Sequence, residues 1–167
     1  IGFGRIGRRV AELAHAFGAK ILVHDKVITN VPAYCETVGF DSLLQRSDIV
    51  TLHVPLLAEL HHMIGRAQLA RMKRGAYLIN AARGGLVDEA ALLESLRTDA
   101  LAGAALDTFE DEPYRGPLAA LPQVLLTAHM GSYARESRVQ MEHEAAENLL
   151  SGLISAGVIA AETAAAQ

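Results

Sequence analysis

The sequence predicts an α/β fold built on an open, doubly wound parallel sheet, and three observations carry that expectation. Apolar runs of strand length alternate with segments of helical spacing along the chain, the pattern of repeated β-α units. A glycine-rich turn, Gly2-Phe3-Gly4-Arg5-Ile6-Gly7, precedes a helical stretch and then a second strand. Further on, the apolar run Ala76-Tyr77-Leu78-Ile79 leads through Asn80-Ala81-Ala82-Arg83-Gly84-Gly85-Leu86-Val87-Asp88-Glu89 into a helix over Ala90 to Leu96.

Totals narrow the classes of partner. At 167 residues the chain is one ordinary domain, long enough to bury a core. Fifteen basic against nineteen acidic residues give a net charge of −4, which argues against a nucleic-acid surface. No basic run or aromatic ladder opposes that reading. No apolar stretch approaches a transmembrane span, so no membrane partner is expected. The single cysteine, Cys35, forms no internal disulfide and fits a reducing, cytoplasmic compartment. No signal peptide is evident, although the abrupt start leaves room for one upstream.

The motif Gly2-x-Gly4-x-x-Gly7 gains meaning from its context. A helix follows, with Val10, Leu13, Ala14 and Phe17 as its expected apolar stripe and Gly18 as its stop. The strand Lys20-Ile21-Leu22-Val23-His24 ends in Asp25, 18 residues beyond Gly7, close to the offset of a carboxylate that bonds an adenosine ribose. The glycines let a pyrophosphate approach the backbone, and the helix N-terminus offers donors and a positive dipole end. A carboxylate at Asp25 repels a 2′-phosphate, so NAD is expected over NADP, a preference that Lys26 softens. Only Ile1 stands where a strand should precede the glycines. That strand is central in a doubly wound sheet, so the chain is expected to be a fragment truncated at its N-terminus.

Residues 27–40 read as irregular, with a short strand near Glu36-Thr37-Val38. Asp41-Ser42 cap a short helix, and Ile49 to Val54 form a buried strand that Pro55 ends. His53 and Pro55 therefore face the same strand-end crevice, His53 being read as packed beneath a loop rather than catalytic. Adjacent His61 and His62 are expected to point apart and face solvent, a poor metal pair. A helix covers Gln68 to Met72. Arg83 follows the next strand, where its guanidinium fork suits a carboxylate, the alternative being a pair with a local carboxylate. Asp88 or a neighbour caps the helix beyond it. Leu101 to Leu106 form a strand ending at Asp107, and a loop runs over residues 108–117. The strand Val124 to Thr127 delivers Ala128-His129-Met130-Gly131-Ser132. A last helix from Ala134 to Leu150 buries Val139, Met141, Ala145, Leu149 and Leu150, and an Ala-rich tail follows.

Successive strand ends thus carry Gly4, Asp25, His53 with Pro55, Arg83, Asp107 and His129, one polar wall along one sheet edge. This order of motifs resembles the D-isomer-specific 2-hydroxyacid dehydrogenases, which include 3-phosphoglycerate dehydrogenase. The matching stretches are the glycine turn, the Asp25 strand end, His53-Val54-Pro55-Leu56, Asn80 to Glu89, Ala105 to Pro113, and His129 to Ser132. The resemblance implies a Rossmann-type NAD-binding domain over residues 1–153, inserted between halves of a substrate domain, with residues 154–167 as a candidate remnant of the latter. It implies three catalytic residues. Arg83 grips the substrate carboxylate and polarises the C2 oxygen. His129 takes and returns the hydroxyl proton, and Glu112 orients and charges its ring. Asp107 holds the nicotinamide carboxamide. The carried-over motifs assign Gly2, Gly4, Arg5, Ile6, Gly7 and Asp25 to the cofactor, with His53 and Pro55. Ala81, Ala82, Arg83, Asp107, His129, Gly131 and Ser132 complete that set, and no metal is implied. The activity implied is hydride transfer between NAD(H) and a D-2-hydroxy acid or 2-keto acid, such as 3-phosphoglycerate, hydroxypyruvate or glyoxylate, by a homodimer.

Departures from the family pattern are Leu57 in place of a frequent Thr, Ala128 in place of the usual proline, and Met130 in place of a common isoleucine. Formate dehydrogenases of the superfamily use Gln where Glu112 stands, so formate is disfavoured; phosphite-type oxidation stays open. Two other readings compete. One is an NAD-sensing, corepressor-like relative that binds rather than turns over. The other is an inactive fragment without its first strand and substrate domain.

Overall fold

The computed structural model describes residues 1–28 and 30–159. The chain divides into two compact units, residues 1–129 and residues from 130 onward. The first unit holds six short parallel strands in two sheets. β1 (Ile21–Val23) pairs with β2 (Cys35–Thr37), and β3 (Ile49–Leu52), β4 (Ala76–Asn80), β5 (Leu101–Leu106) and β6 (Val124–Leu126) form the second sheet in that order. Every pairing is parallel, as the βαβ repetition predicts. Ile1 and Gly2 lie at the seam between the sheets. Gly2 N–H donates to His24 O on one side and His53 N–H donates to Ile1 O on the other, each at 2.8 Å.

Helices α1 (Arg5–Ala16), α2 (Phe40–Arg46), α3 (Arg66–Leu69) and α4 (Glu89–Arg97) alternate with these strands. α4 is placed as expected: Asp88 caps it by accepting from Ala91 N–H at 2.9 Å, and Ala91, Leu92 and Leu96 are buried. Leu44, Leu52, Leu78, Leu92 and Leu96 are fully enclosed in the main core. A smaller cluster of Phe3, Ala11 and Val23 lies beneath the glycine turn.

The buried face of α1 differs from the expected stripe. Gly7 and Ala11 are buried, and Val10 and Ala14 partly so, whereas Leu13 is 47% and Phe17 91% exposed. A Cβ at Gly7 would lie 2.3 Å from Gly2 O, so the helix closes on the turn along its smallest side chains. That contact sets the rotation of α1, and the bulky stripe, roughly a quarter turn away, stays outside.

α5 (Arg135–Ser155) forms the second unit and is also a correction. It is longer than predicted and buries none of its residues: Val139 is 59%, Met141 56%, Leu149 64% and Leu150 38% exposed, and Ala145 is exposed too. Among the described residues of that unit no second helix or sheet offers a layer on which to bury an apolar face. Most of the Ala-rich tail, residues 160–167, lies outside the described residues. No helix among the described residues is long and apolar enough to cross a membrane.

Leu78, fully buried in central strand β4, gives the packing test. Leu78→Ala is expected to destabilise the domain by about 2–5 kcal/mol, seen as a lower urea midpoint at an unchanged slope. An unchanged midpoint would show that β4 does not carry the core.

Candidate active site

The glycine turn is shaped by close backbone approach. Gly2 has φ +86°, and a Cβ there would lie 2.5 Å from His53 O. Gly4, at the start of α1, has open space above it, and no side chain caps the helix or places an acid in its first turn. Asp25 secures the turn from below. Its Oδ2 accepts from Phe3 N–H at 2.7 Å, and its Oδ1 accepts from Val27 and Ile28 N–H at 2.8 and 2.9 Å. Burial alone would raise its pKa, but the three backbone donors prevail and hold it below the usual carboxylate range. A carboxylate has about four lone-pair positions, so one stays available to a ligand hydroxyl. Open backbone donors above a carboxylate fit a dinucleotide's pyrophosphate and ribose.

His53 sits under this turn, as the sequence reading favoured. Its Nε2 shares a 3.1 Å hydrogen bond with Thr51 Oγ1. Burial is the main cause that pushes its pKa down to about 4, so the ring is neutral at pH 7. Pro55, two residues further on, is exposed.

The second half of the site gathers at the ends of β4, β5 and β6. Asn80 is buried at 1% exposure; its Oδ1 accepts from Ala82 N–H at 3.1 Å and its Nδ2 donates to Arg83 O at 2.8 Å. That side chain locks the turn through Ala81 and Ala82. Arg83 is exposed; its Nη1 donates to Ala82 O at 2.6 Å, and it pairs with no carboxylate among the described residues. The loop after β5 lies directly on the next residue. A Cβ on Gly84 would fall 1.9 Å from Phe109 C and 2.5 Å from Glu110 N.

This docking sets Glu112 between two partners. Its Oε1 accepts from Phe109 N–H at 3.1 Å, and its Oε2 lies 2.9 Å from His129 Nδ1. The bond to His129, then the Phe109 donor, holds the Glu112 carboxyl below the usual range. His129 has φ +49°, an uncommon backbone state for a non-glycine residue and one that recurs at functional sites. Asp107 Oδ1 accepts from Thr127 Oγ1 at 2.5 Å. Clefts of about 510 and 430 Å³ meet here, and both are lined by Glu112 and His129; Arg83 lines the second. Thr108 Oγ1, buried beside the second cleft, has no hydrogen-bond partner among the described residues.

The structure therefore brings Arg83, Glu112 and His129 to adjoining clefts, and Gly2, Gly7, Asp25 and His53 to one turn. Gly131 and Ser132 belong to the second unit, in the turn ahead of α5. Asn80 and Thr127 escaped the sequence reading as positioning residues. Their signal was slight: a polar residue at the end of an apolar strand, where an Asx turn supports the next two residues.

Residues 1–131 match the family model described as "D-isomer specific 2-hydroxyacid dehydrogenase, NAD binding domain". The glyoxylate reductase of Thermococcus litoralis is 44% identical over 156 residues, 90% of this chain and 46% of that protein. The D-3-phosphoglycerate dehydrogenase of Methanocaldococcus jannaschii is 43% identical over 145 residues, 83% of this chain and 27% of that protein. Among solved structures, D-lactate dehydrogenase with NAD+ from Lactobacillus jensenii superposes with a TM-score of 0.76 at 42% identity, over 81% of this chain and 46% of that one. The chain thus spans about half the length of the glyoxylate reductase or less of the other relatives.

The depressed His53 pKa makes a signed prediction. Its folded value of about 4 lies below its ordinary 6.5, so the unfolded chain binds the extra proton first as pH falls. Stability from a neutral His53 is fully present above about pH 6.5 and is lost progressively down to about pH 4. Urea unfolding across that window should show a slope that His53→Gln reduces, and an unchanged slope would contradict the buried neutral ring.

Proposed function

This chain belongs to the D-isomer specific 2-hydroxyacid dehydrogenases, matching their NAD-binding domain, and from that premise we propose that it carries the cofactor-binding and proton-handling half of such an enzyme. The reaction is hydride transfer between NAD(H) and a small D-2-hydroxy acid or 2-keto acid. Glyoxylate and 3-phosphoglycerate are the substrate candidates that the named relatives favour, with hydroxypyruvate added by the sequence resemblance. The observation that carries the reading is the Glu112–His129 hydrogen bond at 2.9 Å beside an Arg83 with no carboxylate partner among the described residues.

Gly2, Gly4 and Gly7 with the start of α1 would hold the pyrophosphate, and Asp25 the adenosine ribose; its negative charge favours NAD over a 2′-phosphorylated cofactor. Arg5, Ile6, His53, Pro55, Ala81 and Ala82 would line the same cofactor path, with Gly131 and Ser132. Asp107, oriented by Thr127, would hold the nicotinamide carboxamide. The dinucleotide, when bound, supplies the hydride chemistry.

Arg83 offers a donor fork to the substrate carboxylate. Because Glu112 occupies Nδ1 of His129, Nε2 is the nitrogen left to receive the hydroxyl proton during oxidation and to return it during reduction. The Glu112 carboxylate stabilises the imidazolium that forms. The cofactor domain is taken as residues 1–153, with residues 154–167 as a candidate remnant of a substrate domain. A homodimer in the cytoplasm completes the proposal, the lone thiol of Cys35 suiting a reducing compartment.

Fluorescence titration of the chain with NADH tests the cofactor half: saturable binding is expected, weakened in Asp25→Ala, and no binding by a folded chain would end the proposal. In the protein that joins this domain to a substrate domain, His129→Gln should lower kcat on a 2-keto acid by about 10²–10⁴-fold. Retained turnover would remove His129 from the reaction.

A further inference from the structure

His61 and His62 do not diverge as their adjacency predicts. His62 has φ +52°, and this left-handed turn swings its ring under that of His61, the two stacking with centroids 3.9 Å apart. Both Nε2 atoms then face one carboxylate oxygen from another loop. His62 Nε2 contacts Glu110 Oε1 directly, and His61 Nε2 lies 3.9 Å from the same atom.

Each donor is mounted on separate backbone support. His62 N–H donates to Gly85 O at 2.8 Å, and Ile64 N–H to Leu86 O at 3.0 Å, which seats the histidine turn. Glu110 N–H donates to Glu89 Oε1 at 3.0 Å, which seats the carboxylate. A simple ion pair explains His62 and Glu110 but leaves unexplained why a second imidazole is stacked over the pair and aimed at the same oxygen.

From this convergence we propose that His61, His62 and Glu110 form a site for a divalent transition-metal ion, Zn²⁺ by preference. The three ligating atoms lie within 4.8 Å of one another. Two imidazoles and a carboxylate are a known zinc donor set that leaves a fourth position open. Tetrahedral ligation at the usual bond lengths wants donors about 3.4 Å apart. The side chains are 57%, 36% and 39% exposed, so their rotamers can close to that spacing without disturbing the core. Glu89 and Asp111 add negative charge around Glu110, which favours a cation. His61 and Glu110 also line the cleft shared with Arg83, which gives an ion a path in from solvent. Glu110 stands two residues before Glu112, so an ion here would brace the loop that presents the His129 partner. The site is independent of the dehydrogenase reading, because its occupancy is measured without turnover.

The test is Zn²⁺ titration of the chain against a chromophoric chelator, with Co²⁺ as a second, spectroscopic probe. One ion per chain is expected, with visible Co²⁺ bands of a tetrahedral nitrogen–oxygen site. His61→Ala, His62→Ala and Glu110→Gln should each abolish that isotherm while NADH binding persists. Absence of Zn²⁺ binding by the folded wild-type chain would overturn the proposal. So would undiminished binding in His61→Ala, whose exposed side chain makes it the variant least able to disturb the fold.

Discussion

The contact on which the site depends is the seating of the β5 loop on the bare backbone of Gly84. With a hypothetical Cβ only 1.9 Å from Phe109 C, no side chain of any size fits there without moving one of the two segments. The consequence is chemical. Arg83 precedes the contact on one segment and Glu112 follows it on the other, so the absence of a side chain sets the distance between the proposed carboxylate clamp and the proposed acid–base pair. Asn80 stiffens one side through its two hydrogen bonds to the turn, and Phe109 N–H holds Glu112 on the other. Such support is what keeps reacting groups aligned to fractions of an ångström.

A similar economy governs the glycine turn. Gly2 and Gly7 are required by packing, each with backbone oxygen where a Cβ would stand, while Gly4 faces open space. Two of the three glycines therefore build the turn, and the third leaves one side of it open. Asp25 combines both roles. Three backbone N–H groups keep it ionised and fixed, and a fourth lone-pair position is left for the proposed ribose contact. One residue thereby ties turn and strand together.

Much of this was legible in the sequence because its signals are local. β-α alternation, the glycine spacing, the Asp88 cap and the strand-end positions of Asp25, Arg83, Asp107 and His129 follow from residues near one another in the chain. What was not legible depended on rotation or on distant packing. The apolar stripe of α1 was read from periodicity, yet the Gly7–Gly2 contact turns the helix away from it. The apolar residues of α5 were assigned a buried side, yet among the described residues of that unit no second layer receives them. His61 and His62 were expected to diverge because adjacent residues normally do, and a single positive φ at His62 reverses that. Asn80 was hidden because a polar residue at a strand end looks like the start of a loop rather than its support.

The most direct measurement is nitrogen NMR of the His129 ring in Gly84→Ala, set beside NADH titration of the same variant. The extra methyl should displace the Phe109–Glu112 segment, cost about 1–3 kcal/mol of packing, and release the Glu112 bond. The His129 ring should then lose the Nδ1–H tautomer that an ionised Glu112 at 2.9 Å favours, while NADH binding persists. An unchanged His129 tautomer in Gly84→Ala would show that the acid–base pair does not rest on this contact, and the coupling between Arg83 and Glu112 would have to lie elsewhere.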